Sequence, residues 1–285
     1  MLPPIVLIDI DKTLINPTYD FTVPVEEIKS TVLQAQNCGL IIGLNSDSAI
    51  PTIAAKSDCL GITGPIIAER GALFLPTSVA PPIVVNPAAD NFVSFRDAFL
   101  AALLKRSVGT GHDLVIIGDV NFLVNQLPAG PAAITTAKRA IIINGLRRCS
   151  CGLWVRTRDT NGQWQIDEPT LRDVFEELLP IGTAIFHDGA GQPIMDVDYN
   201  PEYGIIIIHH PLSSKAAAIH QLRVTYPDRT IYMIGDSMSD WMGGEQVIQC
   251  AVGNASADYR RRCQLVSSDS FTAGVLGILE TILGA

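Results

Sequence analysis

Two aspartates separated by one residue follow directly on an apolar run near the start of the sequence. They are Asp9 and Asp11, and the run covers residues 5–8. An aspartate can attack phosphorus and form an acyl phosphate. A second carboxyl group nearby can protonate the leaving oxygen and then activate water. This pair indicates phosphoryl-group chemistry, and the alternative is an ordinary polar turn after a strand.

A second acidic pair follows another apolar run near the other end of the sequence. Asp236 and Asp240 come after residues 231–234. Mg²⁺ in proteins is bound by a few carboxylates together with waters and substrate phosphate. Carboxylates gathered in one place need either a cation or raised pKa values. The metal is the simpler solution, so we expect Mg²⁺ as cofactor, with Asp9, Asp11, Asp236 and Asp240 as its candidate ligands.

Three further residues could bind phosphate oxygens. Asn45 and Ser46 follow the apolar run at residues 40–44, and Lys215 opens a predicted helix. A hydroxyl and nearby backbone N–H groups can hold phosphate, although serine at a helix start is often only a cap. A lysine at a helix N-terminus gains nothing from the helix dipole. It is either a cation that faces phosphate or a solvated surface lysine.

Alternating strands and helices must position these residues. The apolar runs predict strands, and the 3.6-residue periodicities between them predict helices. Strands joined by right-handed helical crossovers have their carboxyl ends at one edge of a sheet, where ligands bind. The predicted strands cover residues 5–8, 40–44, 231–234 and 247–252, and the predicted helices cover residues 24–38, 214–222 and 271–283.

The middle of the sequence has a different pattern. Pro76, Pro81, Pro82 and Pro87 mark a connector. A helical pattern follows over residues 92–104, and then come short strand-like runs with hairpin turns. This mixture predicts an α+β module inserted into an α/β core. The runs cover residues 114–117 and 153–155, and the turns lie at Asn161-Gly162 and at residues 188–191.

Composition excludes several classes of protein. The 285 residues are 47% hydrophobic and 17% charged, with a net charge of −9, so we expect a globular protein without a nucleic-acid partner. The apolar runs are far shorter than the roughly 18 residues of a membrane span, and no secretory signal opens the chain. Six scattered cysteines indicate reduced, packed thiols and a cytoplasmic location.

Taken together and in this order, the motifs resemble the haloacid dehalogenase superfamily of phosphohydrolases, in its Cof-type branch (type IIB). That branch has a large C2-type cap between the second and third motifs. Two other segments match the same branch. The matching segments are residues 9–13, Ser46, Lys215, residues 235–240, residues 67–72 and residues 251–255.

The resemblance implies a division of labour. Asp9 would be the nucleophile, and Asp11 the general acid and then the base. Ser46 and Lys215 would bind the transferring phosphoryl group. Asp9, the Asp11 carbonyl and Asp236 would hold Mg²⁺, with Asp240 in support. The implied fold is α/β, a Rossmann-like parallel-sheet core of residues 1–82 and 209–285 with an α+β cap of residues 83–208.

The cap is expected to select the substrate. Arg156 and Arg158 lie two apart in a predicted strand and share one face, where they would meet an anionic or hydroxyl-rich leaving group. The residues by themselves favour the alternative, a solvent-facing cationic strand. Arg70, in the core, stands where the family often has Asn and is a further candidate for substrate contact. For His209-His210 we favour strand-end packing over metal binding.

The sequence thus predicts a Mg²⁺-dependent phosphatase for a small soluble phosphomonoester, with sugar phosphates as the favoured class. One alternative is a phosphosugar mutase on the same scaffold. Another is a catalytically silent ligand-binding homologue, against which the intact acidic residues and Lys215 argue. The partner is a small molecule, and the protein is expected to be a monomer or a small homo-oligomer. Trp154 and Trp164 are expected to pair across the hairpin, although they could instead line a sugar pocket.

Overall fold

The structure is a computed structural model that describes residues 2–110, 113–118 and 137–284. The chain divides into two compact units: Met1–Asn86 with Leu212–Ala285, and Pro87–Pro211. The units change after residues 86 and 211, whereas the sequence placed the changes after residues 82 and 208. His209 and His210 therefore belong to the inserted unit.

The first unit is built on a mostly parallel sheet. Its strands are β1 (Ile5–Asp9), β2 (Ile41–Asn45), β3 (Ile66–Ala68), β4 (Leu73–Leu75), β5 (Ile83–Val84), β12 (Ile231–Gly235), β13 (Val247–Ala251) and β14 (Leu265–Val266). Its helices are α1 (Val25–Asn37), α2 (Ile50–Leu60), α5 (Ala218–Thr225), α6 (Ala257–Arg260) and α7 (Phe271–Gly284). The strand order is β14-β13-β12-β1-β2-β3-β4-β5, and β4 and β5 are antiparallel to their neighbours.

A fully buried strand, β1, lies at the centre of the sheet. β1 is buried along its whole length and lies between β2 and β12, with both pairs parallel. Such continuous apolar strands are typical of a parallel sheet that is covered on both faces. The chain proceeds from β1 toward β2 on one side and returns to β12 on the other. The carboxyl end of β1 therefore lies at the topological switch point, where open α/β sheets bind ligands. The predicted α/β class with a parallel-sheet core is confirmed.

The second unit has a sheet and an apolar core of its own. Its strands are β6 (Asp113–Gly118), β7 (Arg139–Asn144), β8 (Ser150–Arg158), β9 (Trp164–Gln165), β10 (Asp196–Asn200) and β11 (Ile205–His209), and its helices are α3 (Pro87–Thr110) and α4 (Glu168–Ile185). The order is β10-β11-β8-β7-β6, with β9 added to β8. Among the strands of this unit that the structure describes, only β6 and β7 pair in parallel. The unit is therefore α+β, as the mixed pattern of the sequence predicts.

Two local predictions need correction. The helix predicted over residues 214–222 begins as a 3-10 turn, Lys215–Ala217, and becomes α-helical only at Ala218. The hairpin at Asn161-Gly162 is present, but Trp164 lies opposite Arg158 and not opposite Trp154. The expected tryptophan pair is wrong because a loop over residues 159–163 sets the register four residues away from it.

The cysteines of this protein form no disulfide bonds in the structure. All six cysteines are free. Cys149 and Cys151 are buried, and burial raises the pKa of the Cys151 thiol to about 12. Within the described ranges, no helix has both the length and the apolar character that a bilayer crossing requires.

Candidate active site

The ends of three neighbouring strands bring the predicted residues to one edge of the first unit's sheet. Asp9 is the last residue of β1 and lies in register with Asn45, the last residue of β2. Asp236 follows Gly235, the end of β12. These positions flank the switch point, so the fold itself concentrates polar groups there. The side chains of Asp9, Asn45 and Ser46 are buried.

Lys215 joins two carboxylates at this edge. Its Nζ donates to Oδ1 of Asp9 at 2.6 Å and to Oδ1 of Asp240 at 2.7 Å. Lys215 is only 3% exposed, so the suggestion of a solvated surface lysine is wrong. Two charge-assisted bonds to one ammonium group in a buried setting are among the stronger polar contacts of a protein. They bring together segments 206 residues apart.

The glycine that ends β12 permits the next part of the site. A Cβ atom on Gly235 would lie 2.3 Å from Oδ2 of Asp240, so the turn requires glycine. Oδ2 of Asp240 accepts hydrogen bonds from the backbone N–H groups of Asp236 (3.0 Å) and Ser237 (3.3 Å). One oxygen of Asp240 thus binds Lys215 and the other holds the loop. Asp240 therefore orients both Lys215 and Asp236.

Three carboxylates at the site fit a divalent cation. Each of Asp9, Asp236 and Asp240 offers an oxygen, and these oxygens lie within 4.8 Å of one another. Carboxylate oxygens are the ligands that Mg²⁺ takes in proteins. It is the only group of three acidic, histidine or cysteine side chains at metal-binding distance in the described part of the chain. The donor set therefore suits the expected metal.

The charges of the cluster shift the pKa values of its members. Burial and then repulsion from Asp240 raise the pKa of Asp9 well above its ordinary value, and Lys215 only partly offsets this. Burial and Asp240 likewise raise the pKa of Asp236 to about 6. Burial alone would lower the pKa of Lys215, but Asp240 and Asp9 outweigh it and the net shift is upward. Lys215 therefore stays cationic, but its charge, together with that of Lys12 near Asp236, does not offset the upward shifts of the carboxylate pKa values.

The loop after β1 holds Asp11 beside the nucleophile candidate. Lys12 adopts a left-handed backbone with φ 61°, and the N–H groups of Thr13 and Leu14 return to the carbonyl of Ile10. Asp11 is half-buried. Its charge contributes to the raised pKa of Asp9. The tight turn thus keeps both carboxyl groups in one neighbourhood.

The two predicted phosphate ligands on the β2 side differ in setting. Oγ of Ser46 accepts from the N–H of Ser48 at 3.1 Å, which is the bond of a local turn. The amide of Asn45 lies 3.5 Å from the sulfur of Met233, and its Oδ1 is buried without a hydrogen-bond partner among the described residues. Ser46 thus stands at the edge with its hydroxyl in a local turn, while the Asn45 amide is buried beside β12.

Asn254 is a supporting residue that the sequence indicated only through the resemblance of its segment to a family motif. Asn254, within the matching segment 251–255, donates from Nδ2 to the carbonyl of Lys12 at 2.7 Å. Its Oδ1 accepts from the N–H of Phe271 at 2.9 Å. Asn254 therefore connects the loop after β1 to the start of α7. The residues adjacent to Asn254 in the sequence do not predict this contact.

Solved structures share this fold over nearly the whole chain. A haloacid dehalogenase-like hydrolase from Bacteroides thetaiotaomicron has 14% identity and a TM-score of 0.62, covering 98% of this chain and 99% of that one. A haloacid dehalogenase-like hydrolase from B. subtilis has 14% identity and a TM-score of 0.57, covering 97% and 99%. A trehalose-6-phosphate phosphatase related protein has 16% identity and a TM-score of 0.58, covering 98% and 97%. No protein-family model and no curated protein matches the sequence.

This chain has the haloacid dehalogenase-like fold. The motifs of residues 9–13 and 235–240 lie at strand ends of the central sheet. Their positions in the fold therefore agree with the resemblance inferred from the sequence. The recognition made from short motifs is confirmed at the level of the fold.

The arginines expected at the substrate lie in two different places on the haloacid dehalogenase-like scaffold. Arg70 lies in the first unit, within a left-handed turn at φ 58°. Arg156 donates to the main-chain carbonyls of Val155 (2.8 Å) and Tyr203 (3.2 Å) in the second unit. Arg158 donates to the carbonyl of Gly162 at 3.1 Å. Arg156 and Arg158 brace loops of the second unit and are half-buried there, so neither is a simple solvent-facing charge.

The histidine pair behaves as strand-end packing. His209 is the last residue of β11 and is 1% exposed, with its Nδ1 3.1 Å from the carbonyl oxygen of His210. Its Nε2 lies 3.3 Å from a carboxylate oxygen of Asp198. Burial, followed by the neighbouring His209, lowers the pKa of His210. Neither histidine belongs to a metal-binding group among the described residues.

Proposed function

We propose that this protein is a Mg²⁺-dependent phosphatase that hydrolyses a small phosphomonoester through an aspartyl phosphate at Asp9. The observation that carries the proposal is the buried contact of 2.6 Å between Lys215 and Asp9 at the carboxyl end of β1. A cation fixed beside a nucleophile can stabilise the charge that develops on transferring phosphoryl oxygens. The resemblance of the motifs supports the same assignment.

Asp9 and Asp11 divide the covalent chemistry. A carboxylate oxygen of Asp9 forms a bond to phosphorus while the bond from phosphorus to the ester oxygen breaks. Asp11 gives its proton to that leaving oxygen and then takes a proton from the water that cleaves the aspartyl phosphate. The half-buried position of Asp11 suits this exchange with water, whereas the burial of Asp9 suits nucleophilic attack in a desolvated setting.

Lys215, Ser46 and the carboxylate cluster would bind the phosphoryl group and the metal. Lys215 and the hydroxyl of Ser46 hold the transferring oxygens. Asp9, Asp236 and the carbonyl of Asp11 would hold Mg²⁺, which when bound offsets the negative charge of phosphate and carboxylates. Asp240 keeps Lys215 and the loop of Asp236 oriented. The excess of carboxylates over cations supports a requirement for the metal.

A sugar phosphate is the substrate class we propose. One structural relative is described as related to a trehalose-6-phosphate phosphatase. The inserted unit carries Arg156 and Arg158, a residue type suited to anionic and hydroxyl-rich leaving groups, and each also donates to a main-chain carbonyl of that unit. The partner is accordingly a small phosphorylated molecule.

The test is turnover of p-nitrophenyl phosphate. Wild-type protein with Mg²⁺ should release nitrophenol and inorganic phosphate, and EDTA should stop the reaction until Mg²⁺ is added in excess. Asp9→Asn should lower kcat by about a thousandfold or more, because the nucleophile is lost. The exposed Asp58→Asn is the matched control and should keep wild-type kcat. Near-wild-type turnover by Asp9→Asn would remove Asp9 from its role.

A panel of sugar phosphates separates the hydrolase from the alternatives. Release of inorganic phosphate supports the hydrolase, and an isomerised sugar phosphate without release indicates the mutase. Binding without any turnover would indicate a silent homologue.

A further inference from the structure

We propose that the left-handed turn Glu69–Gly71 positions the two phosphate-binding side chains of the site, with Gly71 setting the place of Lys215. The inference rests on the proposed function, since it concerns the same phosphate. The turn belongs to the segment 67–72 that matches the family motif, for which the mechanism has no other use. Gly71 touches no substrate in this scheme and acts through its neighbours.

The backbone of the turn is strained. Glu69, Arg70 and Gly71 follow one another with φ values of 48°, 58° and 85°. Two of these residues carry side chains, for which a left-handed backbone costs free energy. Such conformations persist where the surroundings dictate them, often beside functional sites. Here the surroundings are the two loops that carry Lys215 and Ser46.

On one side the turn is pressed against the backbone before Lys215. A Cβ atom at Gly71 would lie 1.9 Å from the carbonyl oxygen of Ser214 and 2.9 Å from the N atom of Lys215. Ser214 also begins the 3-10 turn of Lys215, because its Oγ accepts from the N–H of Ala217 at 3.1 Å. The absence of a side chain at residue 71 therefore allows the close approach that places Lys215.

On the other side the turn holds the loop of Ser46. The N–H of Glu69 donates to the carbonyl of Ser48 at 3.0 Å, and the N–H of Ser48 donates to Oγ of Ser46 at 3.1 Å. The N–H of Ser46 itself donates to the carbonyl of Ile67, just before the turn. Glu69 is 1% exposed, so these bonds lie in the interior. One rigid turn thus fixes both candidate phosphate ligands.

Gly71→Ala tests the inference, and Gly61→Ala is its matched control. Gly61 ends α2 with φ 69°, and a Cβ atom there would meet no atom within 4 Å. Both variants put alanine into a left-handed backbone, but only Gly71→Ala must displace Ser214. Gly71→Ala should lower kcat/KM for p-nitrophenyl phosphate by about a hundredfold, because a shift of about 1 Å in a binding group has that effect. Gly61→Ala should stay within about threefold of wild type.

Inorganic phosphate gives a readout that does not depend on turnover. With Mg²⁺ present, phosphate should raise the Tm of wild type and of Gly61→Ala, and its effect should be lost in Gly71→Ala. A folded Gly71→Ala with wild-type kcat/KM and an undiminished phosphate effect would overturn the inference. An inactive wild type would instead overturn the proposed function.

A double-mutant cycle tests whether Gly71 acts through Lys215. The double variant Gly71→Ala/Lys215→Ala is compared with Lys215→Ala alone. Its kcat/KM and the rise in Tm that phosphate causes should each be less than about threefold lower, because the side chain that Gly71→Ala displaces is already absent. The full hundredfold loss in that background would assign Gly71 a merely structural role.

Discussion

At the carboxyl end of β1, the acidic side chains of the cluster outnumber the buried cation that they contact. Asp9, Asp236 and Asp240 face one buried cation, Lys215. Placing carboxylates together away from water favours their protonated forms, and that is why the pKa values of Asp9 and Asp236 rise. A divalent cation would restore the balance. This imbalance is the physical reason for proposing a bound metal ion at the site.

The raised pKa of Asp236 leads to a prediction about pH. Its value of about 6 in the folded protein exceeds the ordinary 3.8. The carboxyl group therefore contributes stability that is present below pH 3.8 and is lost as pH rises through about 6. Mg²⁺ binds only the deprotonated group, so its affinity should fall roughly tenfold for each pH unit below that value. The measurement is the gain in Tm on adding Mg²⁺ at a series of pH values.

The control for that titration is Asp236→Asn. This variant should show a much smaller gain in Tm on adding Mg²⁺ than wild type at every pH between about 5 and about 7.5, because one of the metal's carboxylate ligands is missing. A wild-type gain that is constant over the same interval would contradict the prediction.

Among the elements, loops between strand ends and helices do the positioning. The turn after β1 is held through Lys12 by Asn254, which in turn holds the first N–H of α7. Thr272 makes a second contact with the same turn, because its Oγ1 donates to the carbonyl of Leu14 at 2.7 Å. Helix α7 is thus attached to the loop after β1 at two points, although it carries none of the groups proposed to react.

Asn254→Asp separates the two bonds of that residue. The carboxylate still accepts from Phe271, but it cannot donate to the carbonyl of Lys12. We expect the free energy of unfolding to fall by about 1 kcal/mol, measured by urea unfolding. We expect kcat/KM to fall by about tenfold as the loop of Asp11 loosens.

Thr272→Val is the comparison variant for Asn254→Asp, since it removes the bond to the carbonyl of Leu14 at 2.7 Å and the bond that Oγ1 accepts from the N–H of Thr22 at 2.9 Å. It should lower stability with a smaller change in kcat/KM. Equal losses of activity in both variants would show that Asn254 has only a structural role.

At the scale of the whole molecule, each unit has its own sheet and its own apolar core. In the first unit, β1, β3, β4 and β12 contribute core residues together with α5. In the second, β7, β8 and β11 pack with α3 and α4. The Lys215 ion pairs and the carboxylate cluster lie entirely in the first unit. All the residues proposed for the covalent chemistry therefore belong to the first unit, and the proposed chemistry is separable in principle from the inserted unit.

Excision of the inserted unit tests that separation. A Gly/Ser linker would replace Pro87–Pro211 between Asn86 and Leu212. The shortened protein should fold cooperatively and keep kcat/KM for p-nitrophenyl phosphate within about tenfold, but lose far more toward sugar phosphates because remote binding energy is removed. Circular dichroism and the phosphate-release assay provide the measurements. Equal losses for both substrate types would argue against selection by the inserted unit.

The central strands of the first unit and the grouping of polar residues at their ends can be predicted from residue types and their order in the sequence. Continuous apolar runs predict buried parallel strands, and β1, β2, β12 and β13 lie within a residue or two of the predicted positions. Since the carboxyl ends of such strands share an edge, the polar residues after them were expected to lie together. The alternation of helices and strands likewise predicted the α/β core and the different character of the inserted unit.

Only the tertiary structure decided how these groups meet. The sequence could not distinguish a surface lysine from the buried Lys215, because that depends on carboxylates 25 and 206 residues away. It could not show that Asn254 holds Lys12, that Arg156 serves main-chain carbonyls, or that the hairpin register separates the two tryptophans. Local pattern reports propensity and burial, whereas the partner of a side chain depends on how distant segments pack.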